Sequence, residues 1–158
     1  MSSGIASKTP PSSNVNSMLK QAIDLVKWPI VIAMFLTPVR FFLEVLGLPE
    51  YAIFLLGLLW LTLGFSIYWG VKLSDEKQAY LVLLLGLILF SPISRFPVAL
   101  FWWLDSHLEM GTHYGLYFNT FQEALFNQVI YGSLVQIIPG FLLGSMTLAF
   151  IHYRKSSS

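Results

Sequence analysis

The apolar positions of this chain gather into four long runs set apart by short polar or glycine–proline breaks. At 1.5 Å per residue a helix of about 20 residues crosses a bilayer, and each run reaches that length. The first span is read over about 28–46, the second over 51–71, the third over 78–103 and the fourth over 125–151. The fold class that follows is an all-α integral membrane protein, a four-helix bundle in which a single transmembrane domain covers 18–155.

The breaks refine this picture. Residues 1–17 are rich in Ser, Pro and Asn and are expected to form an unordered tail, as is the short end at 156–158. Over Met18–Lys27 apolar and polar residues alternate at helical spacing, which predicts an interfacial turn capped by Ser17 and leading into the first span. Gly47-Leu48-Pro49-Glu50 is a tight connection that makes the first two spans antiparallel neighbours. Ser74, Asp75 and Glu76 suit the cap of the third helix. Pro92 and Pro97 predict a kink or an unwound turn in that helix around Arg95. Segment 104–123 carries Tyr114, Tyr117, Phe118 and Phe121 at helical spacing, so an outer interfacial helix is expected there, with Gly111 and Gly115 bracketing a turn. Tyr68, Trp69 and the Phe101–Trp103 run are expected in the aromatic belts.

Orientation comes from the basic residues. Lys8, Lys20, Lys27, Lys72, Lys77, Arg154 and Lys155 fall on the side of the termini and the 2–3 turn, whereas the 1–2 and 3–4 connections have none. The positive-inside rule then puts both termini in the cytoplasm, and a bacterial cytoplasmic membrane is the expected location. Glu50, Asp105, Glu109 and Glu123 mark the outer side.

Composition agrees with this reading and removes several function classes. The 158 residues are 56% hydrophobic and 11% charged, with a net charge of +1 and no cysteine. That charge gives no argument for nucleic acid, and the missing thiols exclude disulfides, thiolate nucleophiles and Cys-ligated metals. Ser91, Ser94 and Ser106 lie near His107 without an elbow or an orienting acid, so no nucleophilic catalyst is visible.

Candidate chemistry is confined to three groups. Arg40 and Arg95 both lie about 12 Å below the outer boundary by residue count, with Glu44 between them and the surface and Gln136 opposite. An intramembrane guanidinium costs roughly 2.5–3.5 kcal/mol on insertion scales, so it is expected to be paired, to snorkel or to face a polar site. Two guanidiniums against one carboxylate leave an opening for an anionic lipid phosphate. The plainer alternative pairs Arg40 with Glu44 along one helical face and lets Arg95 snorkel or bind carbonyls freed by its prolines. The second group, Asp105, His107, Glu109 and His113, is the nearest approach to a zinc, manganese or iron ligand set, although no recognised spacing is present. The third is a stripe in the last span containing Gly132, Gly140 and Gly144, which suits close helix packing inside the bundle or self-association.

From the sequence, the expected role is a non-enzymatic accessory or assembly component that binds another membrane protein. The alternative is a small transporter or lipid-handling protein that uses the arginine cluster, followed by an outer-face metalloenzyme. The sequence does not identify a cofactor.

Overall fold

The computed structural model describes residues 11–157, apart from the side chains of 11–14 and of residue 116. It is an all-α bundle whose four membrane-length segments are Val15–Val45, Glu50–Lys72, Ala79–Leu108 and Phe121–Ser156. Helix α1 covers Pro11–Val45, α2 Glu50–Leu55, α3 Leu58–Lys72 and α4 Ala79–Leu108. A 3-10 turn at His113–Leu116 follows, then α5 at Phe121–Phe126, a π-helical stretch at Asn127–Gly132, and α6 at Ser133–Ser156. Helix α4 is the most enclosed span, with α1 on one side and α6 on another, while α3 packs chiefly on α6.

Several boundaries differ from the sequence reading. Helix α1 is already helical at Pro11, the first described residue, inside the stretch expected to be a tail; Ser17 is therefore helix interior and not a cap. The remainder of that tail, with Lys8, lies outside the described residues. The helix also runs through Pro29 and Pro38. Helix α4 continues through Pro92 and Pro97 with no unwound turn. The interruption falls in the second span instead. Leu56 and Gly57 close α2 with amides bonded to the Ile53 and Phe54 carbonyls, at 3.1 and 2.9 Å, and Gly57 is extended before α3 starts. A Cβ on Gly57 would lie 2.7 Å from the Phe54 carbonyl oxygen, so this turn needs glycine. The cap of α4 is Gln78; Asp75 instead bonds Lys155.

The two ends of the bundle are tied independently. At the basic end, the His152 ring lies 2.8 Å from the Ser74 carbonyl oxygen, and Lys155 donates to Asp75, linking the end of α6 to the 2–3 turn. At the other end, Glu44 on α1 meets His113 of the 3–4 connection. Both ties require an even number of crossings.

Helices α3 and α6 approach through small residues. A Cβ on Gly70 would sit 2.8 Å from the Gly144 carbonyl oxygen, and one on Gly140 would sit 2.9 Å from Ser66 Oγ. A Cβ on Gly144 would meet Leu83 at 2.8 Å and the Ser66 carbonyl oxygen at 3.0 Å. Gly140 and Gly144 thus face the interior, where dispersion between close backbones supplies what the hydrophobic effect cannot supply within lipid. Trp69, expected in a belt, is fully buried; its ring stacks on Phe65 and meets Phe90 edge-on. Trp102 is likewise buried, whereas Trp103 is 46% exposed. The 3.6-residue phase of each helix, and not its distance from the membrane surface alone, decides which aromatics reach lipid.

Candidate functional site: two arginines beneath an inserted tyrosine

The outer half of the bundle gathers Arg40 from α1, Arg95 from α4, and Tyr114 from the 3-10 turn. Each guanidinium acts electrostatically on the Tyr114 phenol, Arg40 acts on Arg95, and Glu44 acts on Tyr114. Tyr114 is 4% exposed because its ring enters between α1 and α4. It packs on Phe41 at 5.6 Å and on Phe101 at 6.5 Å, and those two rings are themselves 4.6 Å apart. Burial pushes its phenol above the ordinary tyrosine value; Arg40 opposes that shift, Glu44 adds to it, and Arg95 opposes it.

The turn that delivers Tyr114 is built locally. Helix α4 ends with Glu109 in the left-handed region, and Gly111 follows at φ 71°. The Thr112 amide then donates to Asp105 Oδ1 at 3.2 Å. Gly115 packs directly against the same carboxylate. Gly111 therefore turns the chain back, and Asp105 pins it. No outer helix lies along the interface through Tyr114 and Tyr117, because the chain forms one 3-10 turn and reaches a helix only at Phe121.

His113 binds Glu44 twice. Its backbone amide donates to Oε1 at 2.6 Å, and its Nδ1 lies 2.5 Å from Oε2. An ionised carboxylate only accepts, so Nδ1 carries the proton in this bond. Glu44 is thus engaged by His113 and, among the described residues, forms no ion pair with Arg40, its neighbour one helical turn earlier. Among the described residues neither Arg40 nor Arg95 has an ion-paired carboxylate. The expected Arg40–Glu44 pair is not formed, because His113 presents two donors to the same carboxylate.

Arg95 reaches across to the last span, and among the described residues no bond to a carbonyl of its own helix is seen. Its Nη1 donates to Gln128 Oε1 at 3.2 Å. Gly132 makes room for it: a Cβ there would lie 3.3 Å from Cδ, Nε and Cζ of Arg95. Gln128 and Gly132 both belong to the π-helical stretch, where four residues nearly complete a turn and so bring the pair to one face. Gln136, fully buried one turn further along, receives a 3.4 Å bond from Ser94 Oγ. Buried and without hydrogen-bond partners are the Nε atoms of Arg40 and Arg95, the Tyr114 hydroxyl, Ser133 Oγ and Gln136 Nε2.

The second candidate group is not brought together. His107 is exposed, stacks on Trp103 at 4.4 Å and bonds the Trp103 carbonyl oxygen of its own helix. Glu109 is exposed at the helix end, Asp105 holds the turn, and His113 belongs to Glu44. Among the described residues no three His, Asp or Glu side chains converge as metal ligands. Consecutive i, i+4 spacing cannot bring them together once Glu109 and Gly111 reverse the chain.

Tyr114 and the Glu44–His113 pair were missed as parts of the site. Two glycines flanking Thr112-His113-Tyr114 were the available signal, since such a segment can fold an aromatic anchor inward. Comparison with protein-family models, curated proteins and solved structures gave no match.

Proposed function

We propose that this is a lipid-handling membrane protein that binds an anionic phosphate headgroup through Arg40 and Arg95, with the Tyr114 hydroxyl as a third donor. The observation that carries this reading is that Arg40 and Arg95, two arginines in the half of the bundle that holds the Tyr114 ring, have no carboxylate partner among the described residues. Keeping two cations together in a low-dielectric site is unfavourable unless an anion joins them. Arginine forks match phosphate oxygens, and a lipid supplies phosphate at the membrane surface above the site. The setting we propose is a bacterial cytoplasmic membrane with the basic end in the cytoplasm, which makes the outer leaflet the source of ligand. Docking of another membrane protein has less support, because the glycine faces of α6 are used inside the bundle.

The test is lipid binding in nanodiscs. The wild-type protein is expected to retain anionic phospholipid over phosphatidylcholine, and Arg40→Gln and Arg95→Gln are each expected to weaken that retention by roughly tenfold or more. Equal retention of both lipids by the wild type would overturn the proposal.

A further inference from the structure

We infer that His113 is a positioning residue that keeps both guanidiniums available by holding Glu44 away from Arg40, so that the site selects a phosphomonoester-type dianion over a phosphodiester monoanion. The inference rests on the phosphate-binding reading and adds the ligand's charge class and the device that sets it.

Glu44 follows Arg40 by four residues on α1, the spacing at which a helix brings opposite charges together. Left alone, that pair would neutralise Arg40 and reduce the site to a single cation. His113 prevents this by engaging both carboxylate oxygens from outside the helix, one with its backbone amide and one with its ring. The Glu44 side chain is 11% exposed in this arrangement, so solvent competes weakly for it. The clasp is also fixed from behind: the Gly111 turn and the Thr112–Asp105 bond place His113 without help from either arginine. The charged and titratable groups around the site include Arg40, Arg95, Glu44, His113 and Tyr114, with Asp105 behind the turn, where it accepts from the Thr112 amide. Of the two side chains that could compete for Glu44, His113 holds it.

Two available guanidiniums define what fits. A phosphomonoester presents three unesterified oxygens and up to two negative charges, enough to accept from both forks and from the Tyr114 hydroxyl. A diester presents two such oxygens and one charge, leaving one cation of the pair uncompensated. The expected preference for the monoester is roughly tenfold or more, as for one lost charge-assisted hydrogen bond.

The experiment compares phosphatidate with phosphatidylglycerol in nanodiscs carrying the full chain as wild type, His113→Ala, Glu44→Gln, or both changes together. The wild type and Glu44→Gln are expected to prefer phosphatidate. His113→Ala is expected to lose that preference as Glu44 turns to Arg40, and the double variant to regain it, because the released side chain no longer carries a charge. A purely structural role for His113 would leave the double variant as impaired as the single one. Unimpaired His113→Ala, an unrestored double variant, or lost preference in Glu44→Gln would each overturn the inference. Wild-type protein that needs Arg95 yet binds both anionic lipids equally defeats only this inference, whereas indifference to both over phosphatidylcholine defeats the functional reading beneath it. Added inorganic phosphate separates the sources: displacement of phosphatidate at comparable concentration marks a soluble phosphate ligand, and resistance marks a lipid headgroup.

Discussion

Replacing Gly70 by alanine tests whether backbone approach between α3 and α6 holds the bundle closed. The new methyl would lie 2.8 Å from the Gly144 carbonyl oxygen and 2.9 Å from Thr147 Cβ. Ordinary contact begins at about 3.5 Å, so the helices must separate by roughly 0.7 Å, and one obstacle is backbone that cannot rotate away. Overpacking of this kind costs about 1–3 kcal/mol, against a gain of up to about 1 kcal/mol from replacing glycine within a helix. Gly64 supplies the control. It lies on the same helix, is exposed, and has nothing within 4 Å of the position a methyl would take, so Gly64→Ala takes the propensity gain alone. Subtracting one variant from the other cancels propensity and leaves the packing cost. Equilibrium unfolding in mixed micelles is expected to place Gly70→Ala below Gly64→Ala by about 1–3 kcal/mol. Agreement of the two within about 0.5 kcal/mol would show that the seam is not closed by backbone contact.

Two further outcomes follow from the outer connection. Gly115→Ala drives a methyl into the Asp105 carboxylate and is expected to break its bond to the Thr112 amide, costing about 1.5–3 kcal/mol; hydrogen exchange at that amide should accelerate, and unchanged protection would contradict the packing described. The Tyr114 phenol is held above its ordinary value chiefly by burial, so the folded state binds its proton more tightly than the unfolded state does. The associated stability is complete below the unfolded value near 10 and is lost as pH rises through the folded one, a decline that Tyr114→Phe should flatten in pH-dependent unfolding.

Hydropathy and charge made the spans and their grouping legible, because lipid imposes length on every crossing and the translocation machinery imposes sidedness on lysine and arginine. Residue counting also expected Arg40, Glu44 and Arg95 at related depths; in the structure Glu44 is held by His113 and Arg95 by Gln128. Finer features depended on contacts distant in sequence. Glu44 looks like the partner of Arg40 on α1 until His113, 69 residues later, supplies two donors. The Tyr114 spacing fits an interfacial helix as well as it fits a 3-10 turn, and only the Gly111 reversal distinguishes them. The two prolines near Arg95 were expected to kink or unwind their helix; it stays helical through both, and an interruption occurs at Gly57, where a side chain would strike the preceding carbonyl. The π-helical stretch facing Arg95 has no sequence signal beyond Gly132, which is also explained by packing.

The most direct measurement of the central claim is dipolar coupling between arginine side-chain nitrogen and lipid phosphorus by solid-state NMR on protein in anionic bilayers. The account predicts phosphorus within hydrogen-bonding range of the guanidinium nitrogens of both Arg40 and Arg95, with the signal lost residue by residue in Arg40→Gln and Arg95→Gln. Coupling absent from both arginines, or arising only from the basic end at Arg154 and Lys155, would contradict it.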